Sequence, residues 1–226
     1  MNGGMIQFED GEEKYKGYLA SPSSGSGPGI IVIQEWWGLV PHIKDVTDRY
    51  AVAGFNALAP DLYRGKTADE PDEAGSLMMA LHIGETAKLL AKAIDTLLND
   101  PKTTGDKVGV VGFCMGGQLS LYAACVNSKI GACIDYYGIH PSAQPALRDL
   151  HCPLLGFFAE HDAYAGAEQV NALTEELTLL AKPHQFTTYP GTSHDFFNDV
   201  RPAYNKDAAD DTWQRAIAFF NENLRA

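Results

Sequence analysis

Cys114 is the residue whose setting most resembles that of a nucleophile. It stands in Gly112-Phe113-Cys114-Met115-Gly116-Gly117, between the apolar run KVGVVGF and a segment with helical spacing. Glycine-x-nucleophile-x-glycine at a strand-to-helix junction makes a sharp turn that lifts the central side chain above a sheet. The helix behind it presents N–H groups and a positive dipole end, which lower a thiol pKa and favour developing negative charge. The competing reading is a glycine-rich turn around a buried cysteine. A phosphate loop is disfavoured, because no Gly-Lys-Ser/Thr follows.

A thiol nucleophile requires a base, and the base requires an orienting acid. His194 lies in PGTSHDFF, directly after the last predicted strand, HQFTTY, and is the favoured base. His184 opens that strand at the wrong end, and His161 is a competitor beside an aspartate. His42, His82, His140 and His151 fall in helices or connecting loops, where a structural or solvated role is expected. Asp162, in FFAEHDAY after the strand CPLLG, is the expected acid, with Glu160 its close neighbour. After the strand GIIVIQ comes Glu35-Trp36-Trp37-Gly38, where a second oxyanion-hole amide can be supplied. That amide is assigned to Trp36 and the first to Met115. The tryptophan rings either pack in the core or line an apolar pocket.

These residues share one property: each follows a strand. GIIVIQ, FNALAP, KVGVVGF, GACIDYYG, CPLLGFFAE and HQFTTY alternate with helical segments at 42–53, 84–99, 115–126, 165–181 and 208–224. Such alternation predicts an α/β fold with a mostly parallel central sheet and helices on both faces. MIQFED and KYKGYLA alternate about Gly11 and predict an N-terminal antiparallel hairpin. In open parallel sheets, sites lie beyond the carboxyl ends of the strands. No repeat or long linker interrupts the chain, so 1–226 reads as one domain.

Bulk properties bound the partners. The chain has 226 residues, 45% apolar and 20% charged, with a formal net charge of −12. Such an acidic chain lacks the basic stripe that nucleic acid or an anionic membrane requires. No run approaches the ~18 apolar residues of a membrane helix. The N-terminus has no apolar signal region, and Cys114, Cys125, Cys133 and Cys152 lack C-x-x-C or zinc-like spacing. A cytoplasmic protein with free thiols is therefore expected, a monomer or homodimer. No metal or organic cofactor is implied, since a triad needs none.

The segments QEWWGL, DVTDRYAVAGFNALAPDLYRG, KVGVVGFCMGGQLS, DYYG, AEHDAY and GTSHDFFND cover most of the chain. Together they resemble the dienelactone hydrolase (carboxymethylenebutenolidase) family of the α/β-hydrolase fold. The resemblance implies a Cys114–Asp162–His194 triad, in the chain order of that fold. It also implies that Glu35 contacts the resting thiol and helps to activate it. Family members active in aromatic degradation anchor a substrate carboxylate with two arginines. Here the first region, DEPDEAGSLMMALHIGE, has none, and the second position matches Asn198, with Arg201 the next basic residue. Trp37, Tyr63, Arg64, Tyr137, Phe196 and Arg201 are the candidates to line the substrate site. The expected reaction is hydrolysis of a small ester or lactone through an acyl-enzyme. Action on other electrophiles or peptide bonds, or a non-catalytic redox-sensing thiol, are the alternatives.

Overall fold

The computed structural model describes residues 3–225. β1 (Gly4–Asp10) and β2 (Glu13–Ala20) form the expected antiparallel hairpin. The chain then alternates through β3 (Gly27–Ile33), α1 (Pro41–Val52), β4 (Asn56–Pro60), α2 (Pro71–Met79), α3 (Ile83–Leu98) and β5 (Thr103–Phe113). It continues with α4 (Met115–Val126), β6 (Ile130–Tyr136), β7 (Leu154–His161), α5 (Ala167–Leu179), β8 (His184–Ser193) and α6 (Lys206–Leu224). The sheet order is β1-β2-β4-β3-β5-β6-β7-β8, parallel from β4 onward.

Helices cover both faces because successive strand residues point to opposite sides. Gly29 faces Leu97 of α3, while Gly109 faces Phe220 of α6 and Ile30. On the α6 side, Tyr50 of α1 packs on Trp213 at 4.7 Å and on Phe220 at 5.9 Å between ring centroids. β3 is buried along its whole length, which explains its uninterrupted apolar run.

Three elements differ from the sequence-based expectation, among them β8, which runs on past HQFTTY to Ser193. α2 is absent from that expectation because only Ala74 of this helix is buried, so no apolar stripe marks it. Its local start signals are Pro71 in the first turn followed by Asp72 and Glu73. β5 begins at Thr103, ahead of the apolar run, because polar residues 103 and 104 pair with Gly27 and Pro28 before a register shift. Among the described residues, no helix is long and apolar enough to cross a membrane.

The topology decides where chemistry can occur. β3, β5, β6, β7 and β8 are consecutive parallel neighbours. Their carboxyl ends therefore carry Glu35, Cys114, Tyr137, Asp162 and His194 to one edge of the sheet.

Candidate active site

Cys114 joins β5 to α4 with φ 54° and ψ −120°, a left-handed conformation that costs a non-glycine residue roughly 1–3 kcal/mol. The surroundings hold it there. The Cys114 N–H donates to Tyr136 O at 3.0 Å, and Cys114 O accepts from Gly117 N at 2.9 Å and Ile139 N at 3.1 Å. The motif glycines allow the close approach this requires. A Cβ on Gly112 would lie 1.8 Å from Gly116 O, and one on Gly116 would lie 2.5 Å from the carbonyl oxygens of Ile33 and Gln34.

The thiol does not have the depressed pKa expected from the helix terminus. Burial pushes it well above its ordinary value, and negative charge on Asp195 and Glu35 adds to the effect. The backbone N–H groups of Met115 and Trp36 point at the sulfur and oppose the shift without overcoming it. A single helix end cannot offset complete desolvation beside two carboxyl groups.

His194 Nδ1 bonds to Asp162 Oδ2 at 2.8 Å. Asp162 Oδ1 accepts from Tyr164 N at 2.8 Å and Ala165 N at 3.0 Å. Burial works against ionisation of Asp162, but His194 and those two N–H groups hold its carboxyl below the usual range. An ionised Asp162 keeps the proton on Nδ1 and leaves Nε2 as an acceptor. His194 Nε2 is buried without a hydrogen-bond partner. Cys114 Sγ, a ring nitrogen of His194 and a carboxylate oxygen of Asp195 all lie within 4.8 Å of one another. The competitors sit elsewhere: Glu160 accepts from Gly191 N at 2.8 Å, and exposed His161 faces Glu160 at 3.4 Å.

Glu35 is fully buried, and its Oε2 accepts from Asn198 Nδ2 at 2.7 Å while Oε1 has no partner. Burial raises its pKa well above the carboxylate range and the charge of Asp195 raises it further, against the Asn198 bond and the Arg201 charge. Asn198 is thus a neutral donor to Glu35. Asp195, which the sequence reading did not single out, has its pKa raised by burial despite His194 and Arg201. Its only sequence signal is adjacency to His194.

The substrate-site candidates divide. Tyr137 is buried with its ring 4.9 Å from His194, and the Tyr63 hydroxyl donates to Met115 Sδ at 3.3 Å. Trp37 is buried against Trp36 at 5.0 Å, with the Arg201 guanidinium 3.6 Å above its ring. Arg64 is not brought to this group: it is exposed and pairs with Glu13 at 3.0 Å, because β2 runs beside the end of β4. Phe196 is fully buried and packs against Tyr137 and Tyr189, at 5.3 and 5.5 Å between ring centroids. Asp135, at the end of β6, is a further buried carboxyl that the sequence did not mark. Its oxygens pack against Gly117 and Gly138 without an ordinary hydrogen bond, and burial pushes its pKa up to about 7 against the nearby Gly138 N–H.

Residues 15–224 match the model of the dienelactone hydrolase family. "Protein usf" of Aquifex pyrophilus is 37% identical over 98% of this chain and 99% of its own. A protein of Aquifex aeolicus strain VF5, provisionally named a carboxymethylenebutenolidase, is 32% identical over 99% of this chain and 100% of its own. The crystal structure of a Klebsiella pneumoniae protein, provisionally named a dienelactone hydrolase, superposes with a TM-score of 0.89 at 26% identity. That match covers 97% of this chain and 98% of the other. The strand order, the helices on both faces and these matches agree: this chain has the α/β-hydrolase fold and belongs to the dienelactone hydrolase family.

Proposed function

We propose that the chain hydrolyses a small carboxylic ester or lactone through Cys114, His194 and Asp162. One observation carries this reading. The free Nε2 of an Asp162-bound imidazole and the N–H groups of Met115 and Trp36 all converge on the Cys114 sulfur.

In this reading the thiol is protonated before substrate arrives. As the carbonyl seats, His194 Nε2 takes the thiol proton, and Asp162 stabilises the resulting imidazolium. The thiolate attacks the carbonyl carbon, and the two N–H groups hold the oxyanion, a contribution of about 3–4 kcal/mol each. Collapse of the tetrahedral intermediate breaks the ester C–O bond, and the leaving oxygen takes the proton from His194. Water then attacks the thioester with His194 as base, releasing the acid and restoring the thiol. Glu35, whose raised pKa makes its carboxylate a stronger base than usual, relays that same proton from sulfur to His194 Nε2 and is left unchanged. The redox-sensor alternative is weakened by a thiol that is 5% exposed and has a raised pKa, since oxidation follows thiolate character and access.

The test is turnover of p-nitrophenyl acetate and of a dienelactone by wild type, by Cys114→Ala and by iodoacetamide-treated protein. Loss of turnover in the last two is expected. Wild-type rates in Cys114→Ala would refute the reading.

A further inference from the structure

We propose that Cys114, His194 and Asp195 also form a three-donor site for one thiophilic divalent cation, best suited to Zn²⁺, whose binding inhibits the hydrolytic site.

Three features carry the proposal. The first is the donor set: one sulfur, one imidazole nitrogen and one carboxylate oxygen within 4.8 Å of one another. A tetrahedral zinc site with bonds of about 2.0–2.3 Å spaces its donors about 3.3–3.8 Å apart. The His194 Nε2–Asp195 Oδ1 pair is already at 3.7 Å. No pair therefore needs to close by more than about 1 Å.

The second is the state of those donors. His194 Nε2 and Asp195 Oδ1 are both buried without hydrogen-bond partners. Glu35 Oε1 is likewise unpartnered on a fully buried side chain, close enough to Cys114 and Asp195 for mutual charge effects. It can accept from a water in the fourth position. The third is the support behind the imidazole. Asp162 holds His194 Nδ1, the carboxylate–histidine arrangement that orients zinc-ligating histidines and raises their basicity. Charge favours the same ligand: Glu35 registers the negative charge of Asp195, and Asp195 that of Asp162, against the positive charge of Arg201.

Binding forms a Cys114 S–metal bond and releases the thiol proton to solvent, with no change in oxidation state. The sulfur that would attack a carbonyl is then a metal ligand, as is the nitrogen that would take its proton. Asp195 has no part in the reaction proposed above. Its role here is to turn a two-donor pair into a three-donor site.

The experiment is titration of metal-free protein with Co²⁺, followed by near-ultraviolet thiolate-to-cobalt charge-transfer absorbance. One Co²⁺ per chain is expected, displaced by Zn²⁺. The band should be absent from iodoacetamide-treated protein and from Cys114→Ala, and Asp195→Asn should bind at least about tenfold more weakly. Circular dichroism checks that both variants are folded. No band in wild type, a band that survives removal of the thiol, or wild-type affinity in Asp195→Asn would each overturn the proposal. p-Nitrophenyl acetate turnover is followed in the same samples. Absence of turnover without metal would count against the hydrolase reading and leave the cobalt spectrum to decide the site. Where turnover is present, Zn²⁺ at one ion per chain should abolish it and a chelator restore it; turnover that persists with zinc bound would overturn the inhibition.

Discussion

Asp135→Asn should stabilise the protein, and more so at high pH than at low pH. Burial lifts the Asp135 pKa from 3.8 to about 7, so the folded state holds this proton more tightly than the unfolded chain. Between those values the folded state binds more protons, so stability falls as pH rises. Below roughly pH 4 both states are protonated and the carboxyl carries no penalty. At pH 5 the loss is about 1.5 kcal/mol, and by pH 8 it reaches about 4 kcal/mol. Asparagine keeps the shape and removes the charge. Relative to wild type, the variant should therefore gain about 4 kcal/mol at pH 8 and about 1.5 kcal/mol at pH 5. At pH 8 this corresponds to a Tm increase of roughly 8–16 °C for a chain of this size. Urea unfolding and thermal melts at the two pH values measure it. Equal gains at pH 5 and pH 8 would refute the argument, because only ionisation makes the effect pH-dependent.

Glu35→Gln keeps an oxygen to accept from Asn198 but cannot take a proton, so turnover of p-nitrophenyl acetate should fall by about 10²-fold or more while circular dichroism shows the protein still folded. The Cys114 thiol, raised by burial, should react with iodoacetamide more slowly at pH 7.5 than an exposed cysteine does, and faster as pH rises toward and past its ordinary range. Mass spectrometry of the Cys114 peptide reads this; a pH-independent labelling rate would contradict it. Gly116→Ala drives a Cβ to 2.5 Å from the carbonyl oxygens of Ile33 and Gln34, which should cost about 1–3 kcal/mol in urea unfolding and also lower activity by shifting the elbow.

The sequence by itself determined the frame and the placement of most of the groups that meet at the candidate site. Strand–helix alternation is a local pattern, and the parallel sheet it implies has its working edge at the carboxyl ends of the strands. The elbow at Cys114 is legible because its glycines answer to contacts a few residues away and to one neighbouring strand. Asp162 and His194 are legible because each directly follows a strand. The tertiary structure decided what depends on groups distant in sequence. The thiol is raised because the assembled site buries it, with Asp195 and Glu35 adding to the effect, and none of this is local to the helix end. Arg64 pairs with Glu13, 51 residues away, which its sequence neighbours do not reveal. Asn198 acquires a purpose only when folding sets it 2.7 Å from Glu35, 163 residues earlier in the chain. α2 is not legible because a helix that buries one alanine carries no periodic signal. Short-range geometry is encoded residue by residue, whereas burial and charge balance are properties of the assembled site.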